Sequence, residues 1–308
     1  MKSTNSTIGY HLVAFLVVAI WGSTFVFTKM LLLAGLSPAQ IFTLRFIIAY
    51  ILFLGFESAL QFFYSFTFHF FSKSWRDELL MFLLGLTGGS LYFLTENAAM
   101  LYTTATNTSL IVCSSTLFAM LLIALFYRQS EPLSRRKVTG SLVACAGMAV
   151  VVLNGHFVLH LSPIGDLLAF GACMCWAVYS LLMKAVTGRY NTLFITRKVF
   201  FYGLVTIIPY YMIVPSDGWI FTSSVFQFFN LSILLNLLFL GVVASMLCFL
   251  LWNWTISKLG AVVATNWVYF NPITTIIFAW WLLNEHITPW FLLGTLLILV
   301  GMYLCDKR

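Results

Sequence analysis

The chain has 308 residues, of which 61% are hydrophobic and only 8% are charged. A soluble domain carries roughly a quarter charged residues, so this composition excludes a soluble protein and predicts an outer surface that faces lipid. The net charge of +7 does not indicate nucleic-acid binding, because the basic residues lie in short gaps between apolar runs and form no soluble basic face.

Ten apolar runs follow one another along the chain, each near the roughly 20 residues that a helix needs to cross a bilayer. We predict that each run forms a membrane-spanning helix. The predicted spans lie near residues 10–34, 38–57, 79–99, 104–126, 138–154, 165–185, 191–214, 230–254, 262–283 and 288–305. No signal-peptide cleavage pattern follows the N-terminal residues, so we expect the first run to be retained as a span.

The positions of lysine and arginine predict the orientation of these spans, because cytoplasmic loops are enriched in both residues. With the N-terminus placed in the cytoplasm, twelve of the sixteen basic residues fall in cytoplasmic segments and none falls in an outer loop. The other four, Lys29, Arg45, Arg197 and Lys198, lie within predicted spans. We therefore expect both termini in the cytoplasm.

The two halves of the chain resemble each other at a nearly constant offset. Four pairs of segments match at offsets of 152 to 155 residues: Trp21–Lys29 with Trp176–Lys184, Phe42–Arg45 with Phe194–Arg197, Gly140 and Gly147 with Gly294 and Gly301, and Glu131 with Glu285. The matches predict two five-helix repeats, residues 1–154 and 155–308. Because five is odd, the second repeat is inverted, as in transporters with a midplane substrate site. We therefore predict an all-α integral membrane protein of ten helices that works by alternating access.

These residues resemble the drug/metabolite transporter superfamily, in its EamA-like family. The residues that carry the resemblance are Trp21, Phe25, Lys29, Leu44 to Phe46, Asn271, Pro272, Glu285, Gly294 and Gly301. The resemblance covers nearly the whole chain. It implies export of a small organic metabolite, amino-acid-like, aromatic or drug-like, across the inner (cytoplasmic) membrane of a bacterium. The chain departs from the pattern at Thr116, which holds in span 4 the place that Pro272 has in span 9.

Glu96 is the only acidic residue that the sequence places deep within a predicted span, on one stripe with Gly85, Gly89 and Tyr92. Ionisable groups within a bilayer usually face a cavity or a partner. Two interpretations stay open. Glu96 either binds a substrate amine or carries a coupling proton, or it forms a fixed ion pair with Arg45.

Arg45 and Arg197 occupy equivalent positions in the two repeats, about 10 Å from the start of their spans. At that depth a guanidinium can reach the interface by snorkelling. The sequence leaves open whether each arginine snorkels, bonds a neighbouring helix, gates transport or contacts an anionic substrate. The adjacent Lys198 is expected to face elsewhere and to snorkel.

The predicted substrate-binding residues lie in the middle of several spans. Trp21 and Trp176 correspond across the repeat, and a substrate cavity would supply the partner that each indole N–H needs; lateral packing against lipid is the alternative. In span 9, Pro272 breaks the helix and frees a carbonyl that has to be met internally. The full predicted set is Trp21, Ser23, Tyr92, Glu96, Trp176, Tyr179, Asn266, Tyr269 and Asn271.

The sequence predicts no enzyme activity, cofactor or metal site. Neither a Walker-type loop nor H-E-x-x-H nor G-x-S-x-G occurs, and Cys173 and Cys175 lack the further ligands of a zinc site. The alternatives to a secondary carrier are a facilitative channel or uniporter, a nucleotide-sugar-type exchanger, and a receptor or scaffold. The expected partners are a small-molecule substrate and the lipid bilayer. Proton coupling through Glu96 and a homodimer are compatible with the sequence and not required by it.

Overall fold

A computed structural model of the protein describes residues 2–64, 70–129, 134–153, 162–214, 230–283 and 289–306. Within these residues the secondary structure is helical, apart from an isolated bridge between Thr187 and Tyr190. The helices up to residue 153 are α1 (Lys2–Leu33), α2 (Pro38–Tyr64), α3 (Trp75–Gly85), α4 (Leu91–Tyr102), α5 (Ala105–Cys113), α6 (Ser115–Phe126) and α7 (Arg135–Leu153).

The second half of the chain is also helical where the structure describes it, apart from the bridge at Thr187 and Tyr190. Its helices are α8 (Pro163–Val186), α9 (Thr192–Thr206), α10 (Ile208–Ile213), α11 (Leu231–Leu238), α12 (Cys248–Leu259), α13 (Ala261–Asn266), α14 (Asn271–Leu283) and α15 (Pro289–Asp306). The predicted all-α class is therefore confirmed for the described part of the chain.

Several helical stretches have the length and composition of membrane spans. Seven among the described residues qualify: Ile8–Leu33, Pro38–Phe63, Trp75–Tyr102, Pro163–Val186, Thr192–Ile213, Leu231–Leu259 and Ala261–Leu282. Two shorter apolar helices are Ile111–Phe126 and Leu292–Leu304. All of these stretches lie on predicted spans, so a multi-spanning membrane protein is supported, whereas the full number of crossings stays a prediction.

The end of α2 differs from its predicted position. The apolar run was predicted to end at residue 57, whereas the helix continues to Tyr64. Glu57 therefore lies inside α2, where its side chain is 1% exposed. The longer helix adds a second acidic residue to the predicted spans, near the end of α2, where Glu57 is buried against a charge on another helix. Its partner is Arg197, whose Nη1 donates to Glu57 Oε2 at 2.9 Å.

Four irregular segments interrupt the long helices. π-helical turns occupy Leu86–Ser90, between α3 and α4, and Phe239–Leu247, between α11 and α12. A turn at Ser114 separates α5 from α6, and a 3-10 segment at Trp267–Phe270 separates α13 from α14. The starts of the π turns lie 153 residues apart (239 − 86), and so do the two breaks (267 − 114). Irregular turns of this kind often mark functional positions.

Proline chemistry accounts for the break between α13 and α14. Pro272 has no N–H to bond the carbonyl of Val268. This carbonyl accepts a hydrogen bond from the backbone N–H of Asn271 and a second one from Cys113 Sγ at 3.4 Å. In span 4 the helix breaks at Ser114 without a proline. Thr116, at the place matching Pro272, donates to the carbonyl of Thr265 at 3.1 Å. Both halves therefore share the break although only one has the proline.

Glycines bring α7 and α15 into backbone contact. A Cβ atom added to Gly147 would lie 2.7 Å from the carbonyl oxygen of Gly294, and one added to Gly301 would lie 2.5 Å from that of Gly140. Such distances are well inside van der Waals contact. The close helix packing predicted from these two glycine pairs is confirmed.

We expect Gly147→Ala to lower the free energy of unfolding by about 1–3 kcal/mol, because the new methyl group overpacks the backbone of α15. Gly55→Ala is the matched control, since a Cβ on Gly55 meets nothing within 4 Å. It should leave stability unchanged or raise it by up to about 1 kcal/mol, the usual helix gain. Thermal unfolding in detergent measures both, and equal effects of the two variants would contradict the close contact.

Candidate functional site

A small cavity lies between the two halves of the chain. Its volume is about 30 Å³, enough for roughly two water molecules. The lining residues in the described part of the chain are Trp21, Thr24, Phe25, Arg45, Tyr92, Phe93, Glu96, Val112, Trp176, Phe249, Val268 and Asn271. Small-molecule pockets usually measure about 300–1,000 Å³, so this cavity is smaller than an ordinary ligand site.

Aromatic rings from both halves fill the space. The ring of Trp21 meets that of Trp176 edge-on, with centroids 5.3 Å apart, and that of Phe249 at 5.6 Å. The ring of Tyr92 packs against that of Trp176 at 5.1 Å, with the two planes tilted by 47°. The two edge-to-face contacts of Trp21 are favourable in themselves. The rings of Trp21 and Trp176, which come from different halves of the chain, meet at the cavity.

The two tryptophans differ in their hydrogen bonding. Trp21 Nε1 donates to the carbonyl of Ala244 at 2.9 Å, within the π turn Phe239–Leu247. The sequence predicted that the cavity would supply this partner, and that expectation is wrong because the irregular helix presents a carbonyl to the indole. Trp176 Nε1 is buried and has no hydrogen-bond partner in the described part of the chain.

A carboxylate and a guanidinium face the same cavity without pairing directly. Tyr92 Oη donates to Glu96 Oε1 at 2.6 Å. Arg45 Nε donates to Ser245 Oγ at 2.9 Å, and its guanidinium carbon lies 4.3 Å from the ring centroid of Phe93. Among the described residues, no ion pair within 4.0 Å joins Glu96 to Arg45. The fixed pair that the sequence left open is absent, and both buried charges border the cavity.

Two further polar atoms at the cavity wall lack partners. Besides Trp176 Nε1, the Oδ1 of Asn271 is buried and makes no hydrogen bond to the residues that the structure describes. Buried polar atoms are nearly always satisfied in proteins, and exceptions require an explanation. One unsatisfied donor and one unsatisfied acceptor at the wall of one cavity are the pattern that a polar ligand would complete.

Tyr179 lies behind the cavity wall. Its ring stacks on Trp176 with centroids 5.0 Å apart, and its hydroxyl donates to Asn253 Oδ1 at 2.6 Å. Asn253 Nδ2 donates in turn to Thr196 Oγ1 at 3.0 Å. This buried chain supports Trp176 from the side that α9 occupies, so Tyr179 positions a lining residue.

The remaining predicted residues lie away from this cavity. Ser23 Oγ donates to the carbonyl of Ile20 at 2.7 Å. Asn266 lines a separate cavity of about 240 Å³ beside Trp267, Tyr269 is fully buried, and Arg197 is in the ion pair with α2. The structure thus brings together Trp21, Arg45, Tyr92, Glu96, Trp176 and Asn271.

Several lining residues were missed by the reasoning from sequence, because apolar side chains facing a cavity and facing lipid look alike. They are Phe25, Phe93, Val112, Phe249 and Val268. Two of them carried a usable signal. Phe25 is one of the residues of span 1 that carry the family resemblance, and Val268 is four residues before Pro272.

Known proteins resemble this chain over most of its length. The EamA-like transporter family matches residues 8–153 and 163–305. An uncharacterized transporter of Archaeoglobus fulgidus is 27% identical, with 97% of each chain covered. A probable terminal-alkyne amino-acid exporter of Streptantibioticus cattleyicolor is 25% identical, over 76% of this chain and 74% of its own. A solved crystal structure at 17% identity superimposes with a TM-score of 0.72, covering 96% of this chain and 95% of the other, and so has the same fold.

Trp21 and Trp176 differ in the hydrogen bonding of their indole N–H groups, and this difference can be tested by substitution. Trp21→Phe should cost about 1–3 kcal/mol more stability than Trp176→Phe, because only the first leaves a buried carbonyl, that of Ala244, without its donor. Both changes remove the same atoms, so each is the control for the other. Equal losses in thermal unfolding would contradict the assigned hydrogen bond.

Proposed function

Because this chain belongs to the EamA-like transporter family, we propose that it is a secondary active transporter that exports a small organic metabolite across the cytoplasmic membrane of a bacterium. The observation that carries the proposal is the cavity between the halves, which both Arg45 and Glu96 border. Transport works by alternating access: the cavity opens to one side of the membrane at a time.

The proposed architecture is ten membrane-spanning helices in two inverted repeats, residues 1–154 and 155–308, with both termini in the cytoplasm. Its supports are independent of one another. The family matches the chain in two segments, one in each proposed repeat. The π turns and the helix breaks recur at a spacing of 153 residues. The basic residues fall on one side of the predicted spans.

The cavity wall supports an amino-acid-like substrate with an apolar or aromatic side chain. A guanidinium suits a carboxylate in a two-pronged contact, which assigns the substrate carboxylate to Arg45. Glu96 would take the ammonium group, and the rings of Trp21, Trp176 and Phe249 would take the side chain. Trp176 Nε1 and Asn271 Oδ1 have hydrogen-bonding capacity left for polar atoms of the substrate. The relative named as an amino-acid exporter agrees with this class.

The small volume of the cavity supports a carrier over an open channel. About 30 Å³ does not admit an amino acid, so binding requires the rings of Trp21 and Trp176 to separate. These rings belong to different halves of the chain. Loading the cavity therefore moves one half against the other, which is the motion that alternating access needs.

Glu96 is the proposed coupling residue. An unpaired, ionised carboxylate is unfavourable in hydrocarbon surroundings. Such a group therefore binds either a proton or an ammonium group. The hydrogen bond from Tyr92 holds the side chain of Glu96 at the cavity, whether Glu96 binds a proton or an ammonium group. Exchange of a proton for the substrate at this one group would couple export to the proton gradient.

We expect Glu96→Gln to reduce substrate flux at least tenfold and to remove its response to a pH gradient, because the amide keeps the shape and loses the titrating charge. The measurement is uptake of a panel of amino acids and amines into proteoliposomes, with and without the gradient. Asp166→Asn, the same chemical change in the first turn of α8, is the control and should transport normally. Normal, gradient-dependent flux in Glu96→Gln would overturn the coupling role.

A further inference from the structure

Acidic residues of the first half meet basic residues of the second half at one end of the molecule. Glu57 on α2 pairs with Arg197 on α9 at 2.9 Å. Glu78 in the first turn of α3 pairs with Lys198. Both bases lie in neighbouring positions on α9, so two helices of the first half are tied to one turn of the second.

These charges are buried. The side chains of Arg197 and Lys198 are each 3% exposed, and those of Glu57 and Glu78 are 1% and 12% exposed. The prediction that Lys198 snorkels is wrong, because Glu78 gives its ammonium group a partner inside the protein. Separating a buried ion pair leaves an uncompensated charge and costs free energy. These contacts therefore hold α9 firmly against α2 and α3.

Neighbouring groups reinforce the second pair. Tyr202 Oη also donates to Glu78, and the backbone N–H of Ser72 donates to its Oε2 at 2.7 Å. The ammonium group of Lys198 lies 5.2 Å from the ring centroid of Phe70 and 5.4 Å from that of Phe71. Rings at that distance attract a cation and keep water from the pair.

A third pair at the same end is more exposed. Arg189 reaches Asp77 from the short connection between α8 and α9, and its side chain is 52% exposed. Tyr190 Oη donates to the same carboxylate at 2.7 Å. Exposed ion pairs contribute little to stability, so this pair provides a natural comparison for the two buried ones.

The C-terminal end of α9 and the following helix α10 contact the first half through neutral groups. There α9 and α10 meet the first half through hydroxyl groups: Ser90 Oγ and Thr206 Oγ1 are 2.7 Å apart, and Thr43 Oγ1 and Tyr211 Oη are 3.0 Å apart. Neutral hydrogen bonds of this kind exchange partners more readily than buried charges do. The molecule is therefore locked more firmly at the end that carries the ion pairs.

The path from that end to the cavity runs along α9. Thr196, directly before Arg197, accepts the hydrogen bond from Asn253, which in turn accepts from Tyr179. Tyr179 stacks on the cavity residue Trp176. A movement of this turn of α9 away from the first half would withdraw the support of Trp176 as well.

We propose that the ion pairs Glu57–Arg197 and Glu78–Lys198 form the cytoplasmic gate of the transporter. In the proposed topology this end, next to Lys73 and Arg76, faces the cytoplasm, so the inference rests on the proposed function. While both pairs are closed, α9 seals the cavity from the cytoplasm. Opening inward requires both pairs to separate.

Native cysteines report on the gate without any substrate. Cys248 is fully buried and adjoins the lining residue Phe249, so a membrane-impermeant maleimide reaches it only along an open water path. Labelling is measured in intact cells and in inside-out vesicles, by mass spectrometry of the peptide that contains Cys248. The labelled peptide is measured against the unlabelled form of the same peptide in each digest.

The expected result is that Glu57→Gln/Arg197→Gln and Glu78→Gln/Lys198→Gln each speed labelling of Cys248 at least fivefold in inside-out vesicles and not in cells. These paired changes remove both charges of each pair, and thermal unfolding verifies that the variants fold. The charge swap Glu57→Arg/Arg197→Glu should restore slow labelling. Arg189→Gln, in the exposed pair, should change the rate less than twofold.

Unchanged labelling in both neutralised variants, or an equal rise from both sides of the membrane, would overturn the gate and leave the pairs a purely structural role. The readout involves neither flux nor substrate. Failure of the gate therefore leaves the carrier proposal standing, and failure of the Glu96 experiment leaves the gate standing.

Discussion

Hydrocarbon offers no hydrogen-bond partner, so a polar group inside a bilayer has to be met by another part of the protein. In this chain, backbone groups at the interruptions of the helices find their hydrogen-bond partners in the other half. A π turn presents the carbonyl of Ala244 to the indole of Trp21. The carbonyl of Val268, which Pro272 cannot bond, accepts from the thiol of Cys113 as well as from the N–H of Asn271. Irregular backbone therefore fixes how the two halves fit, and the position of the cavity between them depends on that fit.

The same requirement distinguishes the cavity from the rest of the interior. Elsewhere the buried charges pair across helices, as Glu57 does with Arg197. At the cavity, Glu96 and Arg45 each hold a neutral partner and not each other. Leaving a buried polar group unsatisfied costs about 1–3 kcal/mol, which a bound substrate would recover. The molecule thus has one region with strong internal pairing and one with capacity for a ligand, joined by α9 and the residues that support Trp176.

The sequence predicts the helices and the close glycine contact well, because both depend on local composition and spacing. It also identifies polar and aromatic residues at the cavity, since Glu96, Arg45 and the paired tryptophans are unusual in apolar runs. The partners of these groups were predicted poorly. Glu57 looked like the end of a span and Lys198 like a snorkelling residue, and only the arrangement of α2, α3 and α9 shows that both charges are paired. Phe249 gave no signal, because a ring that faces a cavity and a ring that faces lipid have the same sequence pattern.

In the proposed mechanism, one substrate molecule is held between Arg45 and Glu96 while the two halves of the chain close around it. The most direct test is counterflow in proteoliposomes preloaded with an aromatic amino acid, compared with the amine that lacks its carboxylate, for the wild type and Arg45→Lys. Lysine keeps the charge and loses the two-pronged geometry. We expect saturable, transient accumulation in the wild type. In the variant, the half-saturating concentration of the amino acid should rise about tenfold, roughly 1.4 kcal/mol, and that of the amine should be unchanged. Flux that rises linearly without accumulation, or an equal effect of the substitution on both compounds, would contradict this mechanism.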